Sequence, residues 1–503
     1  MDTTPYWIDS APIRSFPPLR ADLKVDVLVV GAGITGITAA YLLKRAGVGV
    51  ALIERERLAS IDTGHTTAHL TYVTDLSLTD LAKHVGRDHA QAAWDAGACA
   101  VDQIERIVRE ENIDCDFTRV PGFMHASVFG EASENDRETL KREAELATDL
   151  GFDATFMDAI PHFAVPGVRF SNQAEFHPRK YLGHLVEKIA AAGVDVFEKS
   201  AAEEFDTDKR RAKVNGHWIS FDRVIVATHN PLLGLAGVAS ATLFQTKLAL
   251  YSSYVLGARI PAGALPVALF WDTADPYNYL RIFRGANSDY AIFGGEDYKT
   301  GQRMETEERY ARLVTKLKKI APEAQIDHQW SGQVIETNDG LPYIGENANH
   351  QFIATGYSGN GMTFGTVAAL MARDWATGVK NPWSDLFDVD RKLINRGAWD
   401  YLRENKDYPY YMIRDRLARA EADSVRGLKS GDGIIVKSGG KKVAAYRDKK
   451  GEVHKLSAIC THMGCIVHWN SAEETWDCPC HGSRFKPNGE VIAGPAEAPL
   501  AKA

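Results

Sequence analysis

The chain has 503 residues, of which 45% are apolar and 25% are charged, as in an ordinary globular protein of about three domains. Its net charge of −8 argues against a nucleic-acid partner, because nucleic-acid binding depends on a basic surface. No apolar run is long enough to span a membrane, and residues 1–24 carry acids and prolines where a signal peptide would be apolar. We therefore expect a cytoplasmic protein without a membrane span.

The first elements along the chain are a strand, a glycine turn, a helix and a second strand. Residues 25–30 (VDVLVV) and 48–53 (VGVALI) predict buried parallel strands. Residues 31–36 (GAGITG) lie between them and open the helix. Such glycines allow a tight turn and a close approach to a pyrophosphate, and the helix N-terminus attracts its charge. Because Glu54 ends the second strand and can bind a ribose, the segment predicts a site for FAD or NAD rather than NADP.

The middle of the chain alternates helices and strands, and the C-terminal part changes to short strands and glycine-rich turns. The predicted elements are helices over 135–150 and 304–320, a strand over 223–228 and a hairpin over 276–295. We expect an oxidoreductase part over 1–390, a connector over 391–424 and a small all-β domain over 425–503.

A second glycine-rich turn from strand to helix occurs late in the chain, at residues 353–366 (IATGYSGNGMTFGT). It can present backbone N–H groups to the flavin end of FAD, and a simple NAD domain has no need of it. With VIVATH at 224–229 and DGLPYIG at 339–345, it makes residues 1 to about 390 similar to FAD-dependent oxidoreductases of the D-amino-acid-oxidase type, such as glycine oxidase and sarcosine oxidase.

This resemblance implies an α/β Rossmann-like FAD-binding domain and an α+β substrate domain built on an antiparallel sheet. The FAD-binding parts are expected at about 20–95, 180–235 and 325–390, and the substrate parts at about 95–180 and 240–325. The implied FAD-binding residues are Gly31, Gly33, Ile34, Thr35, Gly36, Glu54, Arg55, Thr63, Gly64, His65, Thr66, Thr67, Ala68, His69, Ala227, Thr228, Gly356, Gly359, Asn360, Gly361 and Met362.

Three histidines near these segments have two interpretations each. Some relatives attach FAD covalently in the early segment, so His65 or His69 is a candidate for attachment. The alternative is that both pack against the cofactor or hydrogen-bond to it. His229 is interpreted as a hydrogen-bonded residue at a strand end rather than as a base.

Four of the six cysteines lie close together near the C-terminus. The segments 460–465 (CTHMGC) and 478–483 (CPCHGS) contain two Cys and two His at a spacing that could also hold zinc. Each loop carries one further Cys, and residues 425–503 resemble a Rieske [2Fe–2S] domain, in which two Cys bind one iron and two His the other. The resemblance implies the cluster ligands Cys460, His462, Cys478 and His481 and a disulfide between Cys465 and Cys480.

Two residues near the second loop bear on the potential of such a cluster. Ser483 can donate a hydrogen bond to a bridging sulfide, whereas Phe485 stands where high-potential relatives carry Tyr. Hydrogen bonds to cluster sulfurs favour the reduced, more negative state. We therefore expect a reduction potential below that of Rieske centres in cytochrome bc complexes.

The two halves together resemble bacterial FAD-dependent oxidoreductases with a C-terminal Rieske domain. The resemblance implies an enzyme, a dehydrogenase that oxidises a small amine or amino acid at a C–N bond. Electrons would pass one at a time from FAD to the cluster and on to an external acceptor. The alternative is a reductase or electron-transfer protein, in which an external donor supplies electrons through the cluster to FAD.

Several segments of the sequence contain candidates for contact with the substrate or with a protein partner. The catalytic candidates are Arg281, Tyr277, Tyr357 and His177, and Arg179, Lys180 and Tyr279 are further candidates for substrate contact. An Arg or Lys is expected because a carboxylated amine needs a cation at the flavin. The basic run over 437–450 either docks an acidic, ferredoxin-like partner or is simply a solvated surface.

Overall fold

The computed structural model describes residues 2–130, 134–206, 208–230, 247–302, 305–391, 414–415, 420–422, 424–496 and 498–503. Most of the expected connector over 391–424 lies outside the described residues. Within these ranges the helices are α1 (Tyr6–Ser10), α2 (Ile34–Arg45), α3 (Asp62–His65), α4 (Leu78–Val85), α5 (Arg87–Glu111), α6 (Glu134–Asp149), α7 (Pro178–Ala191), α8 (Thr306–Ile320) and α9 (Gly361–Thr377).

The strands belong to four sheets. In chain order they are β1 (Leu23–Val30), β2 (Val50–Ile53), β3 (His69–Leu70), β4 (Thr118–His125), β5 (Ala154–Met157), β6 (Gly167–Glu175), β7 (Asp195–Phe197), β8 (Ala202–Asp206), β9 (Arg211–Val214), β10 (His217–Val226), β11 (Leu248–Ile260), β12 (Leu269–Asp272), β13 (Tyr279–Phe283), β14 (Asp289–Lys299), β15 (Gln325–Thr337), β16 (Tyr343–Ala348), β17 (Gln351–Thr355), β18 (Gly433–Ser438), β19 (Lys441–Arg447), β20 (Val453–Ser457), β21 (His468–Asn470), β22 (Thr475–Asp477), β23 (Arg484–Phe485) and β24 (Val491–Ala493).

The first sheet has the order β16-β17-β10-β1-β2-β7. Strands β17, β10, β1, β2 and β7 are parallel, and β16 is antiparallel at the edge. All four residues of β2 and the last four of β1 are buried, because helices cover both faces of such a sheet. The predicted Rossmann-like α/β arrangement is confirmed, with α2 following β1 directly.

The second sheet has the order β15-β11-β14-β13-β12-β4-β6-β3 and is antiparallel except where β12 pairs with β4. The predicted hairpin is confirmed as β13 and β14. Two strands from segments expected to bind FAD, β3 and β15, pair into this sheet rather than into the first one. The long pairing of β15 with β11 draws residues after 325 into the second sheet.

The C-terminal part is all-β, as predicted. Strands β18-β19-β20 form one small sheet and β21-β22-β23-β24 another. Trp476, Phe485 and all four cysteines of the two loops are buried in one core. Among the helices that the structure describes, none has the length and apolar character required to cross a membrane.

Candidate functional site

A large cavity lies where the three parts of the fold meet. Its volume is about 900 Å³, within the range of cofactor-binding pockets. The lining comes from β1 and β2 of the first sheet, from β11 and β15 of the second sheet, and from residues 492–496 of the C-terminal domain. Whatever fills the cavity therefore contacts both halves of the chain.

The glycine turn after β1 forms one end of this cavity. Gly31 has φ +99°, and a Cβ there would lie 2.5 Å from the carbonyl oxygen of Ala227. A Cβ on Gly36 would lie 1.8 Å from the carbonyl oxygen of Gly31, so α2 approaches β1 as closely as the motif requires. The backbone N–H groups at the start of α2 consequently stand at the cavity wall, where a pyrophosphate fits.

Glu54 lies at the same end, at the tip of β2. Its carboxylate accepts hydrogen bonds from the backbone N–H of Ala32 at 2.9 Å and of Glu56 at 2.8 Å. Burial raises the pKa of Glu54, and these two donors oppose that effect. The carboxylate is held at the cavity wall in the position expected for a ribose contact.

Most of the residues expected to hold FAD line this cavity. They are Gly31, Gly33, Ile34, Thr35, Glu54, Arg55, Thr63, His65, Thr66, Thr67, His69, Ala227, Thr228, Gly359, Asn360, Gly361 and Met362. Gly36, Gly64, Ala68 and Gly356 are not part of the lining, and Gly36 acts through the packing of α2 against β1. The donor pattern, the glycine turn and the cavity size all fit FAD.

The two early histidines line the cavity as neutral imidazoles. His65 Nδ1 lies 2.7 Å from the carbonyl oxygen of Ile61, and burial lowers its pKa. His69 Nδ1 lies 3.1 Å from the hydroxyl of Thr67, and burial lowers the pKa of His69 to about 3. His229, at the end of β10, lies 3.0 Å from a carboxylate oxygen of Asp62, as a hydrogen-bonded residue at a strand end would.

Polar side chains surround the other end of the cavity, next to the late glycine segment. Ser253 Oγ lies 2.6 Å from the hydroxyl of Tyr279 and donates to Asp297 at 2.5 Å. Tyr277 donates to Asp75 at 3.3 Å, and its ring centroid is 5.7 Å from that of Tyr279. All five residues line the cavity. They form one connected polar wall that ends in two carboxylates, and we refer to these five residues as the acidic wall.

Tyr277 and Tyr357 are the two catalytic candidates that line the cavity. Tyr357 lies with its hydroxyl 3.0 Å from that of Thr35, so it bridges the two glycine segments. Burial raises the pKa of Tyr277 well above its usual value. Both tyrosines therefore remain neutral and serve as hydrogen-bonding groups.

Arg281 and His177 do not line the cavity, contrary to expectation. Arg281 is almost fully buried and donates to the carbonyl oxygens of Ala68 at 3.0 Å and Phe176 at 2.7 Å. Its Nε also pairs with the carboxylate of Glu175 at 3.4 Å, so its donors are committed to the backbone and to Glu175 and are not available to a substrate carboxylate.

His177 caps α7 by accepting from the N–H of Lys180, and its Nε2 lies 3.0 Å from the hydroxyl of Ser10. Burial lowers its pKa to about 3. Arg179 donates to the carbonyl oxygen of Ala59 at 2.7 Å, and Lys180 pairs with Asp116 at 2.7 Å. Neither of these two cations lines the cavity.

The two loops of the C-terminal domain have the same local geometry. The N–H of Gly464 donates to the carbonyl of Cys460 at 3.0 Å, and the N–H of Gly482 donates to that of Cys478 at 3.0 Å. Cys465 and Cys480 are joined in a disulfide, as the resemblance implied. This bond ties the two loops face to face.

The four expected ligands come together between these loops. The ring centroids of His462 and His481 are 4.8 Å apart, and Cys460 and Cys478 are buried in the same core. Burial lowers the pKa of His462 to about 4, so its imidazole is neutral, and its buried Nδ1 has no protein partner within the described residues. Two adjacent thiols beside two neutral imidazoles fit a Rieske cluster.

The loop that carries His481 packs directly against the cavity wall. Gln333 lines the cavity and donates from Nε2 to the carbonyl of Gly482 at 2.8 Å. Arg484 reaches Ser331 of the same strand at 3.4 Å. On the other side, Arg55 donates to the carbonyl of Ile492 at 2.8 Å. The cluster loop and the cavity therefore share β15 as a wall.

Sequence reasoning missed Asp75, Ser253, Asp297 and Gln333. None of them belongs to a recognisable motif. The one available signal was the alternation along β11 and β14, which places every second side chain on the cavity face. That face is identified only when the pairing of β11 with β14 and β15 is known.

Comparison with known proteins supports these assignments. Residues 26–375 match the FAD dependent oxidoreductase family, and residues 419–503 match the Rieske [2Fe-2S] domain. A curated protein of Bacillus subtilis, the putative Rieske 2Fe-2S iron-sulfur protein YhfW, is 33% identical over 505 residues, covering 98% of this chain and 96% of that protein. The cytochrome b6-f complex iron-sulfur subunit of Bigelowiella natans is 44% identical over 80 residues, 16% of this chain and 28% of that protein.

Solved structures show the same fold for the oxidoreductase part. Glycine oxidase from Geobacillus kaustophilus has a TM-score of 0.61 at 16% identity, covering 74% of this chain and 100% of that one. L-proline dehydrogenase from P. horikoshii has a TM-score of 0.58 at 18% identity, covering 74% of this chain and 98% of that one. The chain belongs to the FAD dependent oxidoreductase family and carries a C-terminal Rieske domain, with FAD and a [2Fe–2S] cluster as its cofactors.

Proposed function

We propose that this enzyme oxidises a small amine or amino acid at a C–N bond and sends the electrons through the Rieske cluster to an external one-electron acceptor protein. The observation that carries the proposal is the contact between Gln333 and Gly482. It joins the wall of the FAD cavity to the residue next to His481. A short protein path of this kind favours electron transfer within one chain.

The proposal assigns FAD to the cavity and the cluster to the two loops. The pyrophosphate would lie at the N–H groups of residues 31–36, the ribose at Glu54 and the flavin beside Gly359 to Met362, since these groups line the cavity. Cys460, His462, Cys478 and His481 would be the cluster ligands. The oxidoreductase part would extend to about 390 and the Rieske domain would begin near 425.

FAD supplies the acceptor for a hydride from the carbon next to nitrogen. The protein's part is to hold the amine and to keep water out. Tyr279 is buried, and Ser253 and Tyr277 complete the acidic wall beside it. The amine loses a hydride, which is two electrons and one proton, and the resulting iminium ion is hydrolysed to a carbonyl compound and either ammonia, from a primary amine, or a smaller amine, from a secondary one.

The experiment is anaerobic reduction of the purified holoenzyme by a panel of amines and amino acids. Flavin absorbance and the electron paramagnetic resonance of the cluster are followed together. We expect flavin bleaching first and a reduced-cluster signal with an average g below 2 afterwards. If instead a low-potential donor reduces the cluster first and the flavin second, with no amine active, then electrons flow inward and the enzyme is a reductase.

A further inference from the structure

The charges around the cavity identify the substrate class of the proposed oxidation. Resting on that proposed function, we propose that the substrate is a cationic amine without a carboxylate, such as an aliphatic diamine. Its ammonium group would bind to Asp297 in the acidic wall, the set Asp75, Ser253, Tyr277, Tyr279 and Asp297.

The first argument is the balance of charge in the lining. Among the described residues, the side chains with a permanent positive charge in the lining are Arg55 and Arg57. Both lie near Glu54, at the nucleotide end, and Arg57 is paired with Glu198. A substrate carboxylate at the flavin end would therefore meet no arginine or lysine, and instead would face two carboxylates.

The second argument is the environment of Asp297. Its carboxylate accepts from Ser253 at 2.5 Å, a neutral hydroxyl. The neighbouring Glu296 binds Arg312 at 2.8 Å and Lys316 at 2.7 Å. The register of β14 against β11 shifts at this point, so that Glu296 meets the two cations of α8 while Asp297 lines the cavity.

The third argument is the second carboxylate in the same wall. Asp75 accepts from the backbone N–H of Gly359 and from the hydroxyl of Tyr277. Burial raises the pKa of Asp75 and raises that of Asp297 to about 7. The reason is that a buried carboxylate loses the water that stabilises its ionised form. A bound ammonium ion would supply the missing charge. Two such carboxylates in one wall suit a ligand with two positive ends.

Asp297 would also remove the proton that blocks oxidation. A protonated amine has no lone pair to assist hydride loss, so the ammonium must first give one proton to the carboxylate. The neutral amine then gives a hydride, which is two electrons and one proton, to FAD and becomes an iminium ion, to which water adds. A group that ionises near neutral pH is suited to hold this proton.

The test uses substrate pairs that differ by one carboxylate: putrescine and ornithine, cadaverine and lysine, dimethylamine and sarcosine. Each is mixed anaerobically with the oxidised holoenzyme, and the second-order rate of flavin bleaching is measured. We expect the rate for each amine without a carboxylate to exceed that of its carboxylated partner by about 100-fold, as expected when one of two interacting charges is buried.

The variants are Asp297→Asn and the matched control Glu296→Gln on the same strand. Asp297→Asn should lower the diamine rate by about 100-fold and reduce the preference over ornithine. Glu296→Gln should change both far less, because Glu296 does not line the cavity and its charge is paired with Arg312 and Lys316. FAD content and melting temperature, compared with those of the unmodified enzyme, identify a variant that fails to fold. Where putrescine does not bleach the flavin, its perturbation of the oxidised flavin spectrum reports binding without turnover.

The outcomes separate this inference from the proposed function. If ornithine, lysine or sarcosine bleaches the flavin faster than its partner, amine oxidation stands and the cationic site is refuted. If no compound bleaches the flavin but putrescine perturbs its spectrum, and does so only when Asp297 is present, the cationic site stands and the oxidation does not. If putrescine does neither, or if Asp297→Asn responds like the unmodified enzyme, the inference is overturned.

Discussion

Gln333 donates a hydrogen bond of 2.8 Å from its side-chain amide to the carbonyl oxygen of Gly482. Gln333 belongs to β15 of the second large sheet, and Gly482 follows His481 in the second cluster loop. The Gln333 side chain is mostly buried at this contact. One amide thus ties the cofactor cavity of the oxidoreductase part to the metal-binding loop of the Rieske domain.

Replacing Gln333 with Ala should therefore slow electron transfer from flavin to cluster more than it slows flavin reduction. The loss of one hydrogen bond costs about 1 kcal/mol and loosens the loop against β15. Stopped-flow absorbance after mixing with substrate separates the two phases. Gln325→Ala, at the exposed start of the same strand, is the control and should change neither phase. Equal slowing of both phases by Gln333→Ala would contradict a role in electron transfer.

Ser483 should raise the reduction potential of the cluster. Its buried hydroxyl accepts from the N–H of Ala496 at 3.0 Å, and its backbone carbonyl accepts from the N–H of Cys478 at 2.8 Å. Ser483 thus lies next to an expected cluster ligand with its hydroxyl proton free to donate. Ser483→Ala should lower the potential by about 40 mV, which is the one-electron equivalent of a hydrogen bond of about 1 kcal/mol. Phe485→Tyr should raise it if the new hydroxyl reaches a sulfur. A spectroscopic redox titration measures the reduction potential of each variant. An unchanged potential in Ser483→Ala would show that the Ser483 hydroxyl does not raise the potential of the cluster.

The sequence predicted those parts of the fold that depend on residues close to one another in the chain. The turn after β1 needs glycines because a Cβ on Gly31 or Gly36 would collide with backbone. The paired loops around Cys460 and Cys478 carry their ligands at fixed spacing, so both motifs could be recognised before any fold was known.

The substrate end could not be predicted in this way. Arg281 was expected there because a carboxylated amine needs a cation at the flavin, but its side chain donates to the carbonyl oxygens of Ala68 and Phe176 instead. The position of Asp297 depends on how β14 pairs with β11. Asp75 reaches Gly359 through a hydrogen bond between residues 284 positions apart in the chain. Such long-range pairings are set by sheet packing rather than by the local sequence.

Gly36→Ala should displace FAD and destabilise the fold. The added Cβ would lie 1.8 Å from the carbonyl oxygen of Gly31, so α2 must move away from β1 and take its N–H groups with it. Overpacking of this kind costs about 1–3 kcal/mol. Gly130→Ala is the control, since a Cβ there meets nothing within 4 Å. Flavin fluorescence after gel filtration and denaturant unfolding measure the two effects, and full FAD retention in Gly36→Ala would contradict the assigned pyrophosphate position.

Binding of a diamine should weaken at acidic pH because of Asp297. Burial raises the pKa of Asp297 to about 7; the hydrogen bond from Ser253 and the charge of Arg309 lower it, whereas Asp75 and Glu296 raise it further. Tyr277 and Tyr279 face it as neutral phenols. The bound ammonium requires the ionised carboxylate, so the association constant should rise up to tenfold per pH unit below about 7.

Above pH 7 the association constant should stay level until the ligand itself loses its proton near pH 10, the ordinary range of an alkylammonium group. The dependence of the anaerobic bleaching rate on putrescine concentration, measured at several pH values, gives the association constant from its saturation. In Asp297→Asn the association constant should no longer fall below pH 7, since the amide does not ionise, and binding should be weaker at neutral pH. If the association constant of Asp297→Asn still falls below pH 7, another group controls binding. Asp75→Asn is the variant that then distinguishes the two carboxylates of the wall.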